Sequence, residues 1–132
     1  MENEAEIKVL FIGLDGAGKT SIITKLKDIK PGEFVEIFPT AFINCARVVY
    51  NNKKFNCVEV SGLKRYRKVW KNFYNEVDSI IFVIDGTDTG RMHIIKNLLH
   101  IINDFFFFYP LFLDLIRNHS NSMQSYWLDK PQ

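Results

Sequence analysis

The apolar positions along the first hundred residues fall into two kinds of run. Ile7 to Ile12 and Ser79 to Ile84 are short, nearly continuous, and rich in β-branched and aromatic side chains. A strand covered by helices on both faces of a parallel sheet requires such a run, because neither face meets water. The two are expected as neighbouring central parallel strands. Phe42 to Tyr50 and Phe55 to Val60 are also β-rich, and the polar Asn51-Asn52-Lys53-Lys54 between them suits the turn of an antiparallel hairpin.

Helical spacing marks three further segments. Between Lys19 and Lys27 the apolar Ile22, Ile23 and Leu26 recur three to four apart, and Pro31-Gly32 gives the stop. Tyr66, Val69, Trp70, Phe73 and Val77 share one helical face, with Arg65, Arg67, Lys68 and Lys71 between them, which predicts an amphipathic helix. Met92, Ile95, Leu98, Leu99 and Ile102 predict the last one. There is no internal repeat. Beyond Ile102 the pattern breaks down: Phe105 to Leu115 has room for a strand, and from Asn118 onward no helical or strand period is present.

Composition narrows the class. A chain of 132 residues with 47% hydrophobic and 14% aromatic content makes one domain with a real core. A net charge of +2 gives no global field for nucleic acid, so any basic surface is local, as in the stripe Lys64, Arg65, Arg67, Lys68 and Lys71, read as a solvated helix face. Cys45 and Cys57 have neither CxxC nor zinc spacing and are read as small core residues in a reducing, cytoplasmic setting. His93 and His100 are read as surface residues. The start has no signal-peptide core and no Gly at position 2, and the end has no prenylation Cys, so no intrinsic membrane anchor is expected. Phe105 to Ile116, about a dozen apolar residues interrupted by Pro110 and Asp114, is too short to span a bilayer as a helix.

The chemistry is concentrated in Gly13-Leu14-Asp15-Gly16-Ala17-Gly18-Lys19-Thr20, which matches GxxxxGK[ST] between a buried strand and a helix. Glycines let successive backbone N–H groups close around phosphates at the positive end of a helix. Lys19 is expected to face the β/γ-phosphates and the Thr20 hydroxyl to ligate Mg²⁺. A tight turn with an incidental lysine is the bland alternative, and the strand–loop–helix placement argues against it.

That loop, together with Phe38-Pro39-Thr40, Val60-Ser61-Gly62 and Ile81-Phe82-Val83-Ile84-Asp85-Gly86-Thr87-Asp88, resembles the Arf-like (ADP-ribosylation factor) branch of the Ras superfamily. The similarity covers about Ile7 to Met92, is most specific in the P-loop and in Arg65-Tyr66-Arg67-Lys68-Val69-Trp70, and is nearest to the ciliary Arf-like proteins. It implies an α/β P-loop NTPase fold of Ras type, a three-layer sandwich, here incomplete at its C-terminal side. One small-GTPase-like domain would span 1–132, with 7–102 as the family-like core and 103–132 as a divergent tail.

The resemblance also implies the ligands and the site. GTP or GDP with Mg²⁺ would be held by Gly13, Leu14, Asp15, Gly16, Ala17, Gly18, Lys19, Thr20 and Ser21, with Thr40 and Gly62 sensing the γ-phosphate. Thr20, Thr40 and Glu59 would serve the metal. Effector proteins would bind through the switch regions of a monomer engaged in membrane or ciliary trafficking, cytoplasmic or held at a membrane or cilium by partners. Phe42 stands where the family has Gly, so the loop should be stiffer. Glu59 stands for the family's Asp, one methylene longer. Leu63 stands for the Gln that orients the attacking water. No catalytic residue is assigned, and hydrolysis is expected to be weak or absent.

The family reads guanine through Asn-Lys-x-Asp and a later Ser/Cys-Ala loop, and neither occurs. Loss of two charge-assisted hydrogen bonds, at about 1.5–3 kcal/mol each, would weaken binding by roughly two to four decades. A pseudo-GTPase or truncated form acting only as an interaction module is therefore the competing reading. A P-loop kinase or ATPase suits the hairpin and Pro39-Thr40 less well. Phe has only the codons TTT and TTC, so Phe105 to Leu113 is what a pyrimidine-rich tract ahead of a splice acceptor would encode. On that reading the chain after about Ile102 derives from a retained intron or shifted frame, leaving a sheet edge and the guanine side uncovered.

Overall fold

The structure, a computed structural model, describes residues 5–29, 34–39, 42–103 and 123–129. Ile7–Ile12 forms β1 and Lys19–Ile29 forms α1, with the glycine loop between them. Phe34–Pro39 (β2), Ile43–Tyr50 (β3) and Lys53–Val60 (β4) follow, then a single helical turn α2, Lys64–Arg67, and a 3-10 turn, Trp70–Phe73. Ser79–Asp85 (β5), α3 at Met92–Asn103 and β6 at Met123–Asp129 complete the order.

The described strands make one sheet in the order β2-β3-β4-β1-β5-β6. β1 lies parallel to β4 and to β5, with Leu10 opposite both Val58 and Ile80, so the two continuous apolar runs are adjacent central strands as expected. The β3–β4 hairpin turns on Asn51 and Asn52 alone, whose φ values of 50° and 62° are those of a two-residue type I′ turn. Lys53 and Lys54, expected in the turn, are the first residues of β4.

Alternation along the strands sorts the core into two layers. Leu10, Ile12, Val58, Val60, Ile80, Phe82 and Ile84 face one way and pack with Trp70, Tyr74, Val77 and, from α3, Ile95, Leu99 and Ile102. Val9, Phe11, Cys57 and Val83 face the other way, toward Ala17 of the glycine loop and Ile23 of α1. This is the three-layer α/β arrangement. Cys57 is buried, and burial pushes its thiol up to about 11; Cys45 is half-buried. His93 and His100 are exposed.

Several expectations are corrected. The amphipathic helix from Tyr66 to Val77 is broken into α2 and the 3-10 turn, although Trp70, Tyr74 and Val77 still reach the core. β2 was not expected as a strand; it pairs antiparallel with β3 through an irregularity between Glu36 and Phe38. The residues from Asn118 onward were expected to hold no strand, yet β6 pairs antiparallel with the whole of β5, from Met123 opposite Asp85 to Asp129 opposite Ser79. The edge of β5 is therefore covered by main-chain hydrogen bonding, not left open. Phe105 to Leu115 and the proposed intron-derived stretch lie outside the described residues up to Met123.

Candidate phosphate-binding site

The glycine loop begins where β1 leaves the sheet beside β5. Gly13 has φ +148°, and a Cβ there would lie under 3.0 Å from the Val83 carbonyl oxygen, so no other residue fits. Gly16 (φ 76°) and Gly18 (φ 104°) also occupy left-handed backbone. Ala17 N–H closes the loop onto Leu14 O at 3.2 Å, and Lys19 opens the 11 residues of α1.

Lys19 is buried, and its ammonium donates to Gly13 O at 2.9 Å and Leu14 O at 2.8 Å. Burial lowers its pKa, and the carboxylates of Glu59 and Asp15 offset part of that effect. A lysine kept inside a loop by two carbonyls is a positive charge in search of anions.

Thr20 follows on the first turn of α1, and its hydroxyl donates to Glu59 Oε1 at 2.6 Å. Strand alternation explains the meeting: Glu59 shares the α1 face of β4 with Cys57, and it is 8% exposed. Asn44, opposite Glu59 in the β3–β4 register, has a buried Oδ1 with no partner among the described residues. This leaves hard oxygen donors gathered at one end of the sheet.

The chain after β4 is pinned over the loop. Ser61 N–H donates to Phe42 O at 2.8 Å, Trp70 Nε1 donates to Ser61 O at 3.1 Å, and Arg67 Nε donates to Gly62 O at 2.8 Å. A Cβ at Gly62 would overlap Gly13 O, Asp15 N and Leu14 C, so glycine is what lets the two main chains touch. Phe42, just before β3, stacks on Tyr66 of α2 with ring centroids 5.1 Å apart. Leu63, just before α2, is 40% exposed.

Two arginines that the sequence does not assign to the site complete it. Arg91 Nη1 and Nη2 donate to Asp15 Oδ1 at 2.9 Å and Asp15 O at 2.8 Å, and Arg67 Nη2 lies 3.5 Å from Asp15 Oδ1. Burial opposes the charge on Asp15, but the Arg91 hydrogen bond and charge, with Arg67 behind them, bring its pKa below 3.8. The solvated face expected of the basic stripe does not extend to Arg67, whose guanidinium turns inward to Gly62 O and Asp15. Arg91 ends the 3-10 turn Thr89–Arg91 that comes after β5, and no periodicity marks it.

The structure thus brings together Gly13, Leu14, Asp15, Gly16, Ala17, Gly18, Lys19, Thr20, Glu59 and Gly62, with Ser21 exposed on the first turn of α1. Thr40 lies outside the described residues. The donor set fits a nucleotide with Mg²⁺: that ion is usually held by one or two protein oxygens plus substrate phosphates, not by a protein cage. Thr20, Glu59 and the orphaned Asn44 oxygen suit that chemistry.

Comparison with known proteins agrees with this geometry. A family model described as the ADP-ribosylation factor family matches residues 1–104. The chain is 39% identical over 95 residues to ADP-ribosylation factor K of Dictyostelium discoideum, covering 72% of this chain and 49% of that protein. It is 38% identical over 100 residues to ADP-ribosylation factor-like protein 1 of Drosophila melanogaster, covering 75% and 54%. Among solved structures, the Arl6 BBS3 small GTPase from Trypanosoma brucei, with bound nucleotide analogue GppNp, superposes with a TM-score of 0.63 at 27% identity, covering 75% of this chain and 55% of that one. The chain spans about half the length of the curated relatives it matches.

Proposed function

We propose, from the premise that this chain belongs to the ADP-ribosylation factor family, that it is a GTP/GDP-binding switch with weak or absent hydrolysis. The observation that carries the reading is the closure of one site from three elements: Lys19 inside the glycine loop, Thr20 on Glu59 at 2.6 Å, and Gly62 against the loop backbone.

The loop from Gly13 to Gly18 would hold the phosphates through backbone N–H groups, and Lys19 would exchange its two carbonyl partners for phosphate oxygens. Thr20 and Glu59, with Thr40, would hold Mg²⁺, which when bound neutralises phosphate charge. Gly62 N–H is the group we assign to sensing the γ-phosphate. The Leu63 side chain has no polar atom to orient a water, so GTP would persist once bound.

The signal would then be read by effector proteins at the switch segment of a monomer, in membrane or ciliary trafficking, at a location set by partners. The alternative is an interaction module that binds no nucleotide usefully. Equilibrium titration with fluorescent GDP, with and without Mg²⁺, separates the two. Mg²⁺-dependent binding supports the switch, and no binding by the folded chain supports the module.

A further inference from the structure

A second feature lies on the opposite face from α1, between the segment after β4 and α3. It is a cleft of about 250 Å³ whose wall is apolar, formed by Trp70, Tyr74 and Leu98, with Ile101, Lys68 and Lys71 at its rim. Ile101 is 57% exposed on a helix whose Ile95, Leu99 and Ile102 are buried, so the helix presents an apolar side chain that the core does not use. The lining residues include no carboxylate. Among the described residues neither Lys68 nor Lys71 takes part in an ion pair, whereas Arg67, which also lines the cleft, already faces Asp15.

We propose that this cleft docks an acidic peptide segment of a partner protein, with apolar side chains against Trp70, Leu98 and Ile101 and carboxylates on Lys68 and Lys71. Charge complementarity selects the sign, since a basic or neutral segment would leave two ammoniums at the rim without counter-charge. Shape selects a peptide over an anionic membrane: a flat bilayer does not enter a recessed cleft, and two lysines contribute only about 1 kcal/mol each to membrane attraction. The inference names the partner chemistry for the switch reading and rests on it for one point. Arg67 lines the cleft and also holds Gly62 O, so an occupant would touch the residue that closes the phosphate site.

The test is a library of random short peptides displayed on phage and selected on the full chain, followed by fluorescence anisotropy with the enriched peptides. The expected result is enrichment of sequences that combine Asp or Glu with large apolar residues. Their affinity should fall about ten-fold or more with Lys68→Glu/Lys71→Glu and with Ile101→Asp, and less with Lys68→Gln/Lys71→Gln. Fluorescent-GDP affinity and thermal unfolding are measured on the same variants, so a failure of nucleotide binding is seen separately from a failure of docking. Enriched peptides without acidic bias, or affinity unchanged by the variants, would overturn the proposal. So would binding to phosphatidylserine/phosphatidylcholine vesicles, but to no peptide, that is lost on charge reversal.

Discussion

Thr20 on α1 and Glu59 at the end of β4 share a hydrogen bond of 2.6 Å, although 39 residues separate them in the chain. The bond joins the helix that follows the glycine loop to the strand that leads into Gly62. It also replaces, by a longer carboxylate, the shorter one the family has at that position. Whatever binds at this end of the sheet meets a hydroxyl and a carboxylate already in contact.

Glu59→Ala should therefore remove most of the dependence of nucleotide release on Mg²⁺. In the parent protein a chelator is expected to speed release of fluorescent GDP, because bound Mg²⁺ would neutralise phosphate charge in the site. In the variant, release should be fast and indifferent to the chelator. Release that stays slow and chelator-sensitive in Glu59→Ala would remove Glu59 from the metal site.

Leu63→Gln should raise single-turnover GTP hydrolysis while leaving nucleotide affinity within about three-fold, because the side chain acts on water and not on the phosphate grip. Leu63 is 40% exposed, so the exchange disturbs no core packing. Hydrolysis that remains at background with GTP demonstrably bound would place the larger defect at Glu59 or on the base side.

Gly13→Ala and Gly16→Ala separate close approach from backbone torsion. A Cβ at Gly13 runs into the main chain of Val83, whereas one at Gly16 has nothing within 4 Å. Gly13→Ala should cost about 3 kcal/mol or more, and Gly16→Ala about 1–2 kcal/mol for its left-handed φ alone. Chemical denaturation of the two variants measures this, and equal losses would contradict the account of the loop.

Asp15 supplies a pH dependence. Burial opposes its charge, but Arg91 and Arg67 win and hold its folded pKa below 3.8. The stabilisation is thus present above the unfolded value and is lost as pH falls through the folded one. The carboxylate is 43% exposed, so after solvent screening the effect is about 1 kcal/mol or less. Asp15→Asn should unfold slightly more easily at neutral pH, and the difference should close below about pH 3.8. A gap that persists in acid would mean that hydrogen-bond geometry, not charge, holds Asp15.

What could be read from the sequence follows from where local and distant forces agree. Ile7 to Ile12, Ser79 to Ile84 and the glycine loop carry their structure in their own residues, since continuous apolar runs and left-handed glycines leave few alternatives. The pairing of Glu59 with Thr20 was foreseeable only through the resemblance. β6 was illegible because its pairing depends on the free edge of β5, and Met123 to Asp129 has no strict alternation of its own. The apolar spacing from Tyr66 to Val77 predicts burial correctly but not one continuous helix, because hydrogen bonds from Arg67 to Gly62 O and from Trp70 to Ser61 O hold the chain in two short turns.

The most direct measurement is a titration of the purified chain and of Lys19→Ala with fluorescent GDP and GTP, each with and without Mg²⁺. The Lys19 ammonium is buried against Gly13 O and Leu14 O, where backbone N–H groups cannot replace its charge toward phosphate. The switch account predicts Mg²⁺-dependent binding by the parent chain and none by a folded Lys19→Ala. Binding of equal strength in both proteins, or none by the folded parent, would contradict it.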